Sequence, residues 1–108
     1  MVKKSVWMVY DLALGGDFEG LYTWLEAKNA IECGTGAAFF KFELKENILQ
    51  ELKKSIKESV KIQKKDRIYI IYRDARKMKG NFIFGERKRN PWAGYAVGVG
   101  ENEEEELE

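Results

Sequence analysis

Val6-Trp7-Met8-Val9-Tyr10-Asp11-Leu12 is a short, almost unbroken apolar run, rich in aromatic and β-branched residues, that ends on a carboxylate. Such a run predicts a strand buried on both faces in the middle of a sheet. Ala13-Leu14-Gly15-Gly16 then offers a flexible turn, and Asp17 is a good helix N-cap. Phe18, Leu21, Tyr22 and Leu25 follow at helical spacing and predict one apolar stripe laid on the sheet. Trp24 falls off that stripe, which makes it a rim residue or part of a second interface. The helix is expected to fray near Lys28-Asn29.

Ile31-Glu32-Cys33 predicts a short strand and Gly34-Thr35-Gly36 a turn. In Ala37–Leu44 the residues Phe40, Phe42 and Leu44 alternate with Phe39, Lys41 and Glu43, the pattern of a half-buried antiparallel strand. Glu46 to about Gln63 carries the clearest helical period, with Ile48, Leu49, Leu52, Ile56 and Val60 on its core face. Arg67–Arg73 predicts a second central strand, and Asp74–Gly80 a polar, basic loop. Asn81–Gly85 and Trp92–Val97 are strand candidates joined by Glu86–Pro91, which predicts a C-terminal hairpin with Pro91 at its edge.

Strand, helix, strand pair, helix, strand and hairpin make an α+β order, the split βαβ pattern. It predicts a ferredoxin-like sandwich: an antiparallel sheet with both helices on one face and an extra C-terminal hairpin. The two apolar strands would be neighbours at its centre. Residues 1–100 are expected to form one domain, of a size that supports a core without staples.

Charge changes the picture more than composition does. The net charge is +1, but Glu101, Glu103, Glu104, Glu105, Glu106 and Glu108 are six of the last eight residues, so without them the chain carries +7. Residues 101–108 are expected to be a disordered acidic tail, with Leu107-Glu108 read as a tag scar and left out of the fold reasoning. Between Lys64 and Arg89 stand Lys64, Lys65, Arg67, Arg73, Arg76, Lys77, Lys79, Arg87, Lys88 and Arg89, opposed only by Asp66, Asp74 and Glu86. Arg73, Arg76, Lys77, Lys79, Arg87, Lys88 and Arg89 are candidate phosphate contacts, with Tyr69, Phe82 or Trp92 as stacking faces for RNA or DNA. The same segment would also serve as a solvated loop that keeps a sheet edge from aggregating. The acidic tail would compete for this surface as a tethered phosphate mimic.

With no histidine, Ser-His and Cys-His schemes and His-ligated zinc are excluded. Cys33 is the only cysteine, so no internal disulfide forms, and a reducing, cytoplasmic compartment is the expectation. No base stands by to activate its thiol. No stretch approaches the roughly 20 apolar residues that span a bilayer, so no membrane partner is expected. Gly94, Gly98 and Gly100 lack the strand–loop–helix context of a nucleotide cradle. What remains is carboxylate chemistry with a hard cation, for which Mg²⁺ is the usual choice. Asp11 is the candidate, and its alternative role is to cap the turn before the first helix.

Tyr10-Asp11-Leu12, the Gly-Gly-Asp17-Phe18 turn, Leu21-Tyr22, the Arg67–Arg73 strand and Trp92-Ala93-Gly94-Tyr95 together resemble SinR-like proteins. These are relatives of the CRISPR-associated ferredoxin-like proteins that act as endoribonucleases or as adaptors of the spacer integrase. The resemblance spans roughly residues 5–97. It implies a homodimer in which Asp11 of each subunit is the metal-linked, catalytic residue of a metal-dependent nuclease, with Mg²⁺ activating water against a phosphodiester. Two departures stand out: a longer basic segment between Phe82 and Tyr95, and no aromatic residue in Cys33–Ala38. The favoured reading is a nucleic-acid-binding or adaptor module without catalysis. The alternatives are the nuclease and a protein-interaction module whose basic face meets an acidic partner.

Overall fold

A computed structural model describes residues 1–96. The acidic tail, and Val97 at the end of the last expected strand, lie outside the described residues. In chain order the elements are β1 (Val2–Asp11), α1 (Phe18–Ala27), β2 (Ile31–Gly34), β3 (Ala37–Leu44), α2 (Ile48–Ser59), β4 (Arg67–Asp74) and β5 (Lys77–Phe84). The strands form one antiparallel sheet in the order β2-β3-β1-β4-β5, so the two apolar strands β1 and β4 do lie side by side.

Alternation decides which side of this sheet is covered. Val6 and Met8 of β1, Phe40, Phe42 and Leu44 of β3, and Ile68, Ile70 and Tyr72 of β4 all point to one face. They form a single core with Leu21, Trp24 and Leu25 of α1 and Ile48, Leu52 and Ile56 of α2, so both helices share that face. Neither α1 nor α2 lies on the other face. Trp7 is 41% exposed and Val9 47%, so β1 is buried on one face only, against the expectation of two. Its apolar run is near-continuous because both faces carry large apolar side chains, not because both are covered.

Helix α1 is rotated relative to the expected stripe. Leu21, Trp24 and Leu25 are buried, while Phe18 and Tyr22 are exposed. Trp24 therefore belongs to the core: its indole N–H donates to Ser55 Oγ on α2 at 2.9 Å, and its ring meets Phe40 edge-on at 5.2 Å. The crossing is close because Gly20 has no side chain, since a Cβ there would stand 2.7 Å from the Ser59 carbonyl oxygen. Asp17 caps α1 through Gly20 N–H and also accepts the Lys61 N–H at 2.9 Å, which holds its carboxyl below the usual range. Glu51 accepts the backbone N–H groups of Lys45, Glu46 and Asn47, with the same downward effect on its carboxyl. Helix α2 ends at Ser59, short of Gln63, because Val60 is extended.

The C-terminal part differs most. Asp74–Gly80 is not a loop: Ala75-Arg76 is a two-residue turn with Ala75 at φ 57°, and Lys77–Gly80 is the first half of β5. Asn81–Phe84 completes β5 and pairs with β4, and among the described residues no hairpin joins it to Trp92–Ala96. Trp92–Ala96 holds no strand. Gly80 is tolerated within β5 because the Tyr69 ring lies across it and occupies the place of its missing side chain.

Asp66 fixes the β1–α1 loop to the start of β4. Among the described residues it is the one buried charged side chain, 1% exposed, and accepts Ala13 N–H and Gln63 N–H at 2.7 Å each. Asp66→Ala leaves both donors without a partner away from water, and is expected to cost about 3 kcal/mol. Urea unfolding checks this. A midpoint no lower than that of the exposed-site variant Glu86→Ala would refute the tethering role.

Candidate nucleic-acid interface

The uncovered sheet face is built from the odd positions of β1. Register places Phe39 opposite Trp7 on one side and Ile71 on the other, with Ile31 beyond Phe39. The next row runs from Ala37 through Val9 and Tyr69 to Phe82. Trp7 and Phe39 contact at a 5.0 Å centroid distance, and Tyr69 meets Phe82 edge-on at 4.8 Å. This makes an aromatic and β-branched floor of two adjacent rows, in which Trp7, Val9 and Ile31 are exposed and Phe39, Ile71, Tyr69 and Phe82 are half-buried.

Charge frames the floor at both ends. At one end Asp11 closes β1 opposite Arg67, whose Nη2 and Nε donate to Asp11 Oδ2 at 2.6 and 3.2 Å. Arg87 lies over the Tyr69 and Phe82 rings, 6.0 and 5.6 Å from their centroids. Val9, Asp11, Arg67, Tyr69, Phe82 and Arg87 line a shallow cleft of about 310 Å³ there. At the other end Arg73 shares the face with Lys3 and Lys41. Arg67 and Arg73 are six residues apart on one strand, hence roughly 20 Å.

The expected basic segment is thus divided by the fold. Arg73 and Arg87 border the open face. Lys77 and Lys79 alternate onto the helix-covered side, where Lys79 Nζ bonds Asp74 Oδ2 at 2.8 Å, raising the lysine and lowering the carboxyl. Arg76 stands in the β4–β5 turn, and Lys88 and Arg89 follow β5, all exposed. Trp92 is 68% exposed and outside the sheet. Trp7, Phe39, Val9 and Ile71 were not expected as site residues. The signal for Phe39 was present in β3, where it alternates with the core and shares a face with Lys41 and Glu43; Trp7 needed the strand register.

Asp11 is exposed at the sheet's end with one oxygen on a guanidinium. Among the described residues no group of three His, Cys, Asp or Glu side chains converges on a common point. No helix among them is long and apolar enough to cross a membrane. Comparisons with protein-family models, with curated proteins and with solved structures give no match.

Proposed function

We propose that this protein binds single-stranded nucleic acid on the uncovered face of its sheet, as a binding or adaptor module. The observation that carries the reading is the pairing of an open aromatic floor (Trp7, Phe39, Tyr69, Phe82) with arginines at both ends. Bases stack on such a floor whatever their identity, because every base has a π-face, and the phosphates between them are left to Arg73, Lys3 and Lys41 at the end away from Asp11. On this face Lys3, Lys41, Arg67, Arg73 and Arg87 outweigh Asp11 and Glu43, which favours an anion over an uncharged apolar partner.

The ferredoxin-like reading belongs to this proposal. The five-strand order differs from a four-strand split βαβ sheet by the added edge strand β5, and the remaining order and the shared helix face are compatible with it. The SinR-like resemblance would bring two copies together at paired Asp11 carboxylates and a divalent cation. The Arg67 guanidinium on Asp11 opposes a cation at that oxygen, which favours binding over catalysis.

A salt titration tests the reading. With Lys3, Lys41 and Arg73 engaging phosphates, the logarithm of the association constant for an unstructured oligonucleotide should fall against the logarithm of salt with a slope of about −2. The strand should stay intact in Mg²⁺. A slope near zero would remove the phosphate contacts from the account, and cleavage abolished by Asp11→Ala would make the nuclease the better reading.

A further inference from the structure

We infer that the cleft at the Asp11 end of the open face is a base-selective pocket that prefers guanine within a single strand. This deepens the proposed nucleic-acid reading and rests on it. The floor as a whole is indifferent to base identity, but this end is not, because it carries a fixed acceptor beside fixed donors. Asp11 Oδ2 takes both hydrogen bonds from Arg67, while Oδ1 takes none from the described residues. A carboxylate is acceptor only, and a guanidinium donor only. The Arg67 bonds hold the carboxylate in one orientation, and Arg67 retains N–H groups that Asp11 does not use.

The four bases meet such an edge differently. Guanine places its O6 acceptor next to two adjacent donors, N1–H and the N2 amino group. It is the base that can give two hydrogens to a carboxylate while its O6 takes one from the arginine. Adenine turns the N1 lone pair toward whichever group faces the centre of its edge, and uracil or thymine offers one N–H between two acceptors. Cytosine offers one amino group beside two acceptors. The remaining walls suit a planar ring: Tyr69 and Phe82 meet edge-on, so that one ring presents its face to a base, and the Arg87 guanidinium, 6.0 and 5.6 Å from their centroids, would move outward to stack on the opposite side of an inserted base. The cleft of about 310 Å³ is at the lower end of the range for small-ligand sites.

The test uses the whole chain and short oligonucleotides, of about 11 positions so that one molecule is covered. Each carries one central guanine, adenine or cytosine in an otherwise uniform uridine (RNA) or thymidine (DNA) background. The expected result is that the guanine strand binds about tenfold more tightly than the adenine strand, the order of one good bidentate contact. Asp11→Asn, which replaces one acceptor oxygen by a donor, should bring that ratio close to one. The RNA and DNA arms tell which backbone accompanies the base. Equal affinity for all three central bases overturns the guanine pocket while leaving the stacking floor in place. A guanine preference that survives in Asp11→Asn also overturns it. No binding by any strand at low salt overturns the floor and the pocket together.

Discussion

Trp24→Ala should be among the most damaging single substitutions in this domain, costing about 3–5 kcal/mol and lowering Tm by more than about 12 °C. Trp24 is 3% exposed, and truncation removes an indole wedged between α1, α2 and the sheet. It also deletes the hydrogen bond to Ser55 that makes burial of the indole N–H tolerable. Trp24→Phe keeps a ring against Phe40 and should lose less. Tyr22→Ala is the contrast: Tyr22 is 52% exposed and its ring meets those of Tyr10 and Phe18 at the surface, so about 1 kcal/mol is expected. Thermal melts of the three variants check the helix rotation directly. If Tyr22→Ala proved the more damaging, α1 would face the sheet with the Phe18–Tyr22 side.

That rotation shows where the sequence was informative and where it was not. Strand β3 was legible to the residue, because Phe40, Phe42 and Leu44 alternate with Lys41 and Glu43, and period two leaves no choice of face. The core face of α2 was legible for the same reason, with lysines filling its solvent side. Helix α1 lacks such contrast. Phe18, Leu21, Tyr22, Trp24 and Leu25 are all large and apolar or aromatic, so several rotations bury a similar area. The choice falls to Gly20, which lets α1 approach Ser59, and to Ser55, which supplies the acceptor for the indole.

The β4–β5 hairpin was hidden for a different reason. Its turn is Ala75-Arg76, without the Asn-Gly or Asp-Gly pair that marks a tight two-residue turn, and Ala75 takes a left-handed conformation that a sequence reading assigns to glycine. Lys77-Met78-Lys79-Gly80 has little strand character of its own. It is recruited as an edge by the ladder of β4, by the Lys79–Asp74 ion pair and by the Tyr69 ring over Gly80. Lys77 and Lys79 thus stand on an edge strand and not in the loop expected for this segment. The candidate site suffered most from this. A basic run contiguous in sequence is split between two ends and two faces of a strand, and the aromatic floor between those ends is assembled from β1, β3, β4 and β5, which no local window contains.

The floor itself is open to a substitution that separates its two physical interpretations. Trp7→Ala removes the largest exposed ring of the face, and loss of base stacking should weaken binding of a single strand by about 1–3 kcal/mol, or roughly 5- to 150-fold in Kd. Phe39→Ala should act in the same direction, and the double variant should fall short of the sum, because the two rings touch at 5.0 Å and act as one platform. Trp7→Leu is the deciding variant. It keeps apolar bulk but deletes the π-face, so a face that served only as an apolar protein interface would tolerate it, whereas a stacking platform would not. Trp92→Ala, at an exposed position off the sheet, should leave affinity nearly unchanged. Anisotropy of a labelled oligonucleotide gives the affinities of the five variants, and melting curves confirm that each variant is folded. The stacking role fails if Trp7→Leu binds as the parent does, or if Trp92→Ala is the variant that loses affinity. The latter result would move the interface from the sheet to the segment that follows β5.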